Sequence, residues 1–204
     1  MAPGERTAHA DAMAKGREML ICEFPQPDPG GCRRIVEASP SDNEAFVRDD
    51  GSGAIILAGA ARPVGAATCR EVSILFTGGR TGTAAGDWLF LVGLWTPHDF
   101  RDEFVAWYRM EHMPILLECK TWDGCRFVEE RVAEGSQFYA MHQLSDRAGL
   151  DSPERHRSRA TPWFGRLAQQ PWFDGAFTRM LYRRLPVTAG NVGQAGEGRS
   201  SQVR

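Results

Sequence analysis

The stretch "WYRMEHMPILLECKTWDGCRF" (residues 107–127) decides the fold of this chain. Its first part has apolar residues three and four apart, which is the spacing of an amphipathic helix. Pro114 is expected to interrupt that helix, because a proline inside a helix removes a backbone hydrogen bond. Glu111 and His112 lie on or beside the apolar side. The stretch therefore raises the question of whether this polar pair performs chemistry or is only packed.

The second half of the chain alternates between two periodicities. Short runs rich in aromatic and β-branched residues indicate strands, and longer runs with helical spacing indicate helices. Ser152 and Thr161, each followed by a proline, are typical of helix starts. The predicted elements are a strand at 87–96, a helix at 98–118, strands at 122–132 and 137–145, a helix at 152–170 and a strand at 175–185. This β-α-β-β-α-β order is the ferredoxin-like arrangement of an α+β protein.

The first half shows a weaker version of the same order. Strands are predicted at 17–24, 53–61 and 70–77. The segment "SPSDNEAFVRD" (39–49) is predicted as a short helix, because it opens with serine and proline. The second helix of this half is reduced or missing. We therefore interpret the first half as a degenerate ferredoxin-like unit and the second half as an intact one.

Composition marks the boundaries between these parts. Segments rich in glycine, serine and alanine supply little that can form a core, so they indicate tails and linkers. The predicted division is a flexible tail at 1–16, a degenerate ferredoxin-like half at 17–77, a linker at 78–86, an intact ferredoxin-like half at 87–186 and a flexible tail at 187–204.

Charge and hydropathy argue against two kinds of partner. The 204 residues carry a formal net charge of −2 without a block of like charges, so nothing favours nucleic acid or an anionic membrane. The basic run "RHRSR" (155–159) is interpreted as a solvated helix face. No apolar run approaches the roughly 20 residues of a membrane span, and the first residues lack the apolar core of a signal peptide. A cytoplasmic location is therefore expected.

The cysteines form an odd set without CxxC spacing, which argues against a disulfide framework and a zinc ribbon. Most are expected to be small core residues. Cys119 and Cys125 flank "KTWDG", so a redox or metal pair is an alternative for these two. The full set is Cys22, Cys32, Cys69, Cys119 and Cys125.

Several motifs in a fixed order suggest a family. They are "FVAWYRMEHMPILLECKTWDGCRF" (104–127), "FYAMHQL" (138–144), "TPWFGRL" (161–167) and "MLYRRL" (180–185). Together they resemble the EthD-like branch of the dimeric α/β-barrel superfamily, over about residues 87–185. The resemblance implies two ferredoxin-like sheets, from two subunits of a homodimer or two halves of one chain. These would close into a β-barrel, with a pocket between the sheet and its first helix.

The resemblance also suggests functional residues. His112 corresponds to the recurring histidine of the family, Glu111 to the glutamate before it, and Arg126 to the arginine of the following strand. The chain departs from the family on its third strand, where relatives commonly have tyrosine and this chain has His142. The superfamily includes cofactor-free decarboxylases, cyclases and isomerases of aromatic or polyketide-like substrates, and also haem-dependent enzymes.

The residues themselves leave two interpretations open. In one, Glu111 orients the imidazole of His112, which then acts as a general acid or base near neutral pH. In the other, Glu111 pairs with Arg126, and His112 caps the last helix carbonyls. Arg126 either holds a substrate carboxylate or phenolate, or pairs with Glu111 or Glu129. His142 either enters the cavity or is a hydrogen-bonded core residue.

These features together predict a small-molecule enzyme. A cavity walled by rings, with Tyr108 and Trp122 among them, suits a small aromatic or hydrophobic ligand. The sequence has no phosphate-binding glycine loop and no metal-binding motif. We expect a cofactor-independent lyase, cyclase or isomerase in which His112 moves a proton and Glu111 sets its tautomer. The alternatives are a haem protein with His112 or His142 as the proximal ligand, and a non-catalytic accessory protein that binds a ligand.

Overall fold

The structure is a computed structural model that describes residues 18–25, 43–59, 62–63, 65–79 and 86–185. Both predicted tails and most of the predicted linker lie outside these residues.

Eight antiparallel strands form a closed barrel. They follow the order β1-β3-β2-β8-β5-β7-β6-β4 around the barrel, and β4 pairs with β1 to close it. In chain order the strands are β1 Glu18–Pro25, β2 Glu44–Arg48, β3 Gly53–Ala58, β4 Thr68–Gly79, β5 Trp88–Thr96, β6 Trp122–Glu130, β7 Ser136–Leu144 and β8 Phe177–Arg184.

Each half of the barrel has the same strand order. In both, the first strand lies between the third and the fourth, and the second strand is outermost: β4-β1-β3-β2 and β8-β5-β7-β6. This is the ferredoxin-like order. The pairs β2 with β8 and β4 with β6 join the halves, so the barrel closes within one chain. The ferredoxin-like barrel is confirmed, whereas the degenerate origin of the first half and a homodimer stay predictions.

The short helix predicted at 39–49 is wrong for the part that the structure describes. Glu44–Arg48 is strand β2, which pairs with β3 on one side and β8 on the other. Phe46 is fully buried in the barrel. The two ladders of hydrogen bonds and this burial outweigh the local helical signal, which cannot register pairing with a strand from the other half. Residues 39–42 lie outside the described part.

Helical segments cover the outer face of the second-half sheet. Ser152 and Thr161 cap two of them, as the sequence predicts, by accepting hydrogen bonds from backbone N–H groups three residues later. The helix predicted at 152–170 is divided into two. None of the helices in the described residues is both long and apolar enough to span a membrane. The segments are a 3₁₀ turn His98–Phe100, α1 Arg101–Trp107, a π turn Tyr108–His112, α2 Met113–Leu116, a 3₁₀ turn Arg147–Asp151, α3 Pro153–Ser158 and α4 Pro162–Ala168.

Pro114 does not end the first helical segment, which continues from His98 to Leu116. A proline has no N–H to donate to the preceding turn, so a regular hydrogen-bond ladder is not possible here. The π turn lies directly before the proline, and such turns are frequent at functional sites. It places the rings of Tyr108 and His112 with their centroids 4.8 Å apart.

The buried apolar residues of the described part form three clusters, two of which lie on opposite faces of the second-half sheet. One cluster of buried residues draws members from all eight strands, so it fills the barrel interior. A second cluster combines β5, β6 and β7 with the helices and lies on the outer face of the second-half sheet. Along β7, Met141 belongs to the interior cluster, whereas Phe138 and Ala140 belong to the outer one. His142 therefore faces the helices and not the inside of the barrel.

Two cysteines form a disulfide that the sequence analysis did not expect. Cys22 on β1 and Cys69 on β4 are directly paired in the ladder, and their sulfurs are bonded. Their separation of 47 residues carries no signal of this pairing. Cys119 and Cys125 are buried and free. Among the described residues, no group of three or more potential ligands is placed to hold a metal.

Candidate functional site

A cavity of about 220 Å³ lies between the second-half sheet and its covering helices. Its walls include four of the six predicted site residues: Tyr108, His112, Trp122 and His142. Apolar side chains from the sheet, from α4 and from the segment before β8 complete much of the lining. Among these are Phe90, Val92, Leu94, Phe164, Phe173 and Phe177.

A chain of three hydrogen-bonded side chains reaches the cavity wall. Trp122 donates its Nε1–H to Nδ1 of His142 at 3.1 Å, and Nε2 of His142 lies 2.6 Å from the Tyr108 hydroxyl. A tryptophan N–H can only donate, so Nδ1 of a neutral His142 accepts and the ring proton resides on Nε2. That N–H donates to the Tyr108 oxygen. The hydroxyl proton of Tyr108 then has no acceptor among the described residues.

Burial keeps these three hydrogen-bonded side chains uncharged. It lowers the pKa of His142 well below the ordinary value of 6.5 and raises the pKa of Tyr108 well above 10.0. A protonated His142 would also set an Nδ1–H against the Trp122 N–H. Tyr108 is therefore a neutral O–H donor at the cavity near neutral pH.

His112 comes from the same π turn and has a complementary character. Its Nδ1 lies 3.4 Å from the carbonyl oxygen of Ser158, so Nδ1–H donates there and Nε2 keeps its lone pair. No other described residue forms a hydrogen bond with Nε2. Burial lowers the pKa of His112 to about 3; the Ser158 bond raises it, and Arg159 lowers it further. His112 is thus a neutral hydrogen-bond acceptor beside the Tyr108 donor.

A donor and an acceptor side by side can remove a proton from carbon. The donor polarises a carbonyl oxygen and stabilises the negative charge that develops on it. The acceptor receives the proton from the neighbouring carbon. Tyr108 and His112 supply these two functions from one helical turn.

Glu111 does not contact His112, contrary to the predicted role. Its carboxylate accepts a hydrogen bond from Thr161 Oγ1 at 2.5 Å, and that oxygen accepts one from the Phe164 N–H at 3.1 Å. Consecutive helical residues do not face each other, so adjacent side chains do not meet. The tautomer of His112 is set by the Ser158 carbonyl. Glu111 instead supports the residue that caps α4.

We expect Thr161→Ala to lower the free energy of unfolding by about 1–2 kcal/mol. The change removes the cap of α4 and leaves the partly buried Glu111 without its hydroxyl partner. Urea unfolding measures the loss. Thr161→Ser keeps the hydroxyl and should retain most of the stability; an equal loss in both variants would contradict the capping role.

Arg126 does not reach the cavity. It forms an ion pair with Glu44 of β2, and the two side chains are 15% and 16% exposed. Arg126 lies two residues before Val128 on β6, so the two side chains are on the same face of the strand. Val128 belongs to the barrel interior, and Arg126 therefore faces away from the helices. The predicted partner Glu129 pairs with Arg101 instead, at 2.6 Å. Arg126 therefore joins the two halves of the barrel.

Three arginines at the cavity mouth were missed from the sequence. Arg155 and Arg159, from the run interpreted as a solvated face, line the cavity together with Arg179 of β8. Residues four apart share one side of a helix, whereas Arg157 between them points elsewhere and pairs with Glu118. Arg157 and Arg159 are exposed, as the solvated interpretation predicts, and Arg155 is half-buried; what the interpretation missed is that Arg155 and Arg159 also line the cavity. The four-residue spacing was the available signal, but only the fold shows what that side faces.

Solved structures share this fold at low sequence identity. An anthrone oxidase-like protein superimposes with a TM-score of 0.61 at 12% identity, covering 86% of this chain and 94% of that chain. A ferredoxin-fold protein related to antibiotic biosynthesis monooxygenases, from Listeria monocytogenes 4b F2365, gives 0.57 at 8% identity, covering 85% and 97%. A heme-degrading enzyme from Listeria monocytogenes gives 0.54 at 9% identity, covering 81% and 98%.

These likenesses show the fold alone. The chain has a ferredoxin-like barrel fold in which both sheets come from one chain. No protein-family model matches the chain, and the search of curated proteins found no match. Membership of the EthD-like branch therefore stays a prediction.

Proposed function

We propose that the protein is an enzyme that moves a proton on a small aromatic or hydrophobic metabolite without a cofactor, as a lyase, cyclase or isomerase does. The observation that carries the proposal is the pairing of the Tyr108 donor with the His112 acceptor at one ring-lined cavity. The ligand oxygen accepts from Tyr108, and the adjacent carbon gives its proton to Nε2 of His112. Surrounding rings exclude water, which strengthens both interactions.

The size of the cavity limits the ligand. At about 220 Å³ it is smaller than the roughly 300–1,000 Å³ of pockets for drug-sized molecules. A single substituted aromatic ring suits this space, and aromatic walls favour a ring over a sugar.

A haem group fits these residues poorly. Both ring nitrogens of His142 are engaged, by Trp122 and Tyr108, so His142 has no nitrogen for an axial bond. His112 retains Nε2, but a cavity of about 220 Å³ has no room for the macrocycle beside it. We therefore propose that the acid and base groups come from the protein alone.

Oxidation by O₂ is a second candidate. Removal of the proton leaves an electron-rich enolate, which can reduce O₂; a CH₂ group and O₂ then give a carbonyl and water. This candidate is supported by the likeness to proteins described as anthrone oxidase-like and as related to monooxygenases. An oxygen electrode separates it from the first candidate, because proton transfer alone consumes no O₂.

Hydrogen–deuterium exchange tests the proposal. Phenylpyruvate and phenylacetone each carry a benzylic CH₂ beside a carbonyl, and its exchange in D₂O is followed by proton NMR. We expect the protein to accelerate the exchange. We expect Tyr108→Phe to slow the catalysed exchange about 10²- to 10³-fold, because a donor to the developing oxyanion is lost.

A second tyrosine provides the matched control. The hydroxyl of Tyr139 donates to Glu130 at 2.8 Å and lies away from the cavity, so Tyr139→Phe should exchange at the wild-type rate. Thermal unfolding of both variants shows that they fold. Exchange that is absent with both compounds, or unchanged in Tyr108→Phe, would contradict the proposal and favour a non-catalytic binding protein.

A further inference from the structure

The mouth of the cavity carries an excess of positive charge. Arg155, Arg159 and Arg179 line it with a single acidic residue, Asp174. Three positive charges and one negative charge give the lining a formal charge of +2, whereas the whole chain has −2. A cleft of one sign concentrates ligands of the opposite sign.

None of the ion pairs among the described residues involves Arg155, Arg159 or Arg179. The nearby charge of Asp151 acts to raise the pKa of Arg155, but the two side chains do not form an ion pair. Other arginines in the same half are paired, as Arg101 is with Glu129. Arg155, Arg159 and Arg179 are therefore not engaged in ion pairs of the kind that holds Arg101.

Aromatic residues of the cavity hold two of the guanidinium groups in place. Cζ of Arg155 lies 5.5 Å from the ring centroid of Phe90, and Cζ of Arg179 lies 5.0 Å from that of Phe177. Arg155 also donates one hydrogen bond to the Leu150 carbonyl. A guanidinium has five N–H donors, so most of them stay available for a ligand.

The like charges are unfavourable when no anion is bound. Burial lowers the pKa of Arg159, and the nearby charges of Arg155 and Arg179 lower it further. An anion among the three groups would remove this repulsion. Their planar, forked geometry matches the two oxygens of a carboxylate.

We infer that the ligand is a small aromatic carboxylic acid that also bears a carbonyl oxygen. Its carboxylate binds Arg155, Arg159 and Arg179 at the mouth, its ring lies against the phenylalanine wall, and its carbonyl oxygen accepts from Tyr108. This inference rests on the proposed function and names its substrate class.

Calorimetric titration with the two exchange probes tests the inference. Phenylpyruvate and phenylacetone share the benzyl ketone frame and differ by a carboxylate in place of a methyl group. We expect phenylpyruvate to bind about 10- to 100-fold more tightly, because hydrogen bonds to a charged group are the strong ones. This preference should decrease as salt concentration rises.

Arginine variants test whether the preference for phenylpyruvate over phenylacetone arises at the cavity mouth. Arg155→Gln and Arg159→Gln should each reduce it about tenfold or more. Arg157→Gln lies on the same helix but faces away from the cavity, so it should leave the preference unchanged.

The outcomes separate this inference from the proposed function. Equal affinity for both compounds, a preference that survives the Arg155→Gln/Arg159→Gln double variant, or no saturable binding of phenylpyruvate at millimolar concentration would overturn the inference. Tight, carboxylate-dependent binding without exchange would support the inference and contradict the proposed function. Equal exchange and equal binding of both compounds would support the proposed function and contradict the inference.

Discussion

His112→Gln should lower the rate of proton transfer about 10²- to 10⁴-fold and leave the protein folded. The glutamine amide keeps an N–H that can donate to the Ser158 carbonyl, but it has no basic nitrogen. Only the acceptor at Nε2 is lost. The variant should still bind the ligand, so the loss should appear in kcat rather than in KM.

The exchange rates of His112→Gln and His156→Gln measure this effect. His156 lies on α3 and is exposed, so its replacement should leave the rate unchanged. A His112→Gln variant that retains the wild-type rate would show that the imidazole is not the base. A variant that fails to fold would show a structural role instead, as its circular dichroism would reveal.

The low pKa of His112 needs a physical explanation in this scheme. A general base works best when its pKa is near the working pH, and burial lowers this one to about 3. Arg159 and Arg155 contribute to the lowering. A carboxylate bound to these arginines cancels their field, and the enolate that forms beside the imidazole favours its charged form. The base thus becomes stronger when the ligand is present.

Stability should fall steeply as the pH drops below about 6.5, and this is the second large effect. His112 and His142 have pKa values below the ordinary 6.5 in the folded protein, because burial disfavours their charged forms. Below pH 6.5 the unfolded chain therefore binds more protons than the folded one. Each histidine then lowers the free energy of unfolding by about 1.4 kcal/mol per pH unit, down to its folded pKa. Above about pH 6.5 neither histidine makes the free energy of unfolding depend on pH.

Urea unfolding between about pH 7.5 and 5 measures this dependence. The two histidines together should cost about 4 kcal/mol between about pH 6.5 and 5, before carboxyl groups titrate appreciably. His112→Gln should halve the slope, and His156→Gln should leave it unchanged. A slope that is the same in all three proteins would contradict the neutral state of His112.

The architecture of the second half was predictable because its signals are local. Strand and helix periodicities and the caps at Ser152 and Thr161 depend only on residues that are close in sequence. Strand β2 was missed because one of the two strands that it pairs with, β8, lies in the other half of the chain. Local pattern carries no information about such a partner.

The candidate site was predictable in part for the same reason. Tyr108 and His112 are four residues apart, so one helical stretch revealed both. The links from Trp122 to His142 and from His142 to Tyr108 span 20 and 34 residues and exist only in the folded chain. Arg126 was assigned to the cavity because the motif gives its strand but not the face of that strand.

Closure of the barrel within one chain has a consequence for how the protein can vary. Two identical subunits must use a single sequence for both sheets, so every substitution appears twice. Here Glu44 and Arg126, which connect the sheets, belong to different halves and can change independently. One half can keep a structural role while the other acquires catalytic residues. Because the halves are covalently linked, dilution does not separate them.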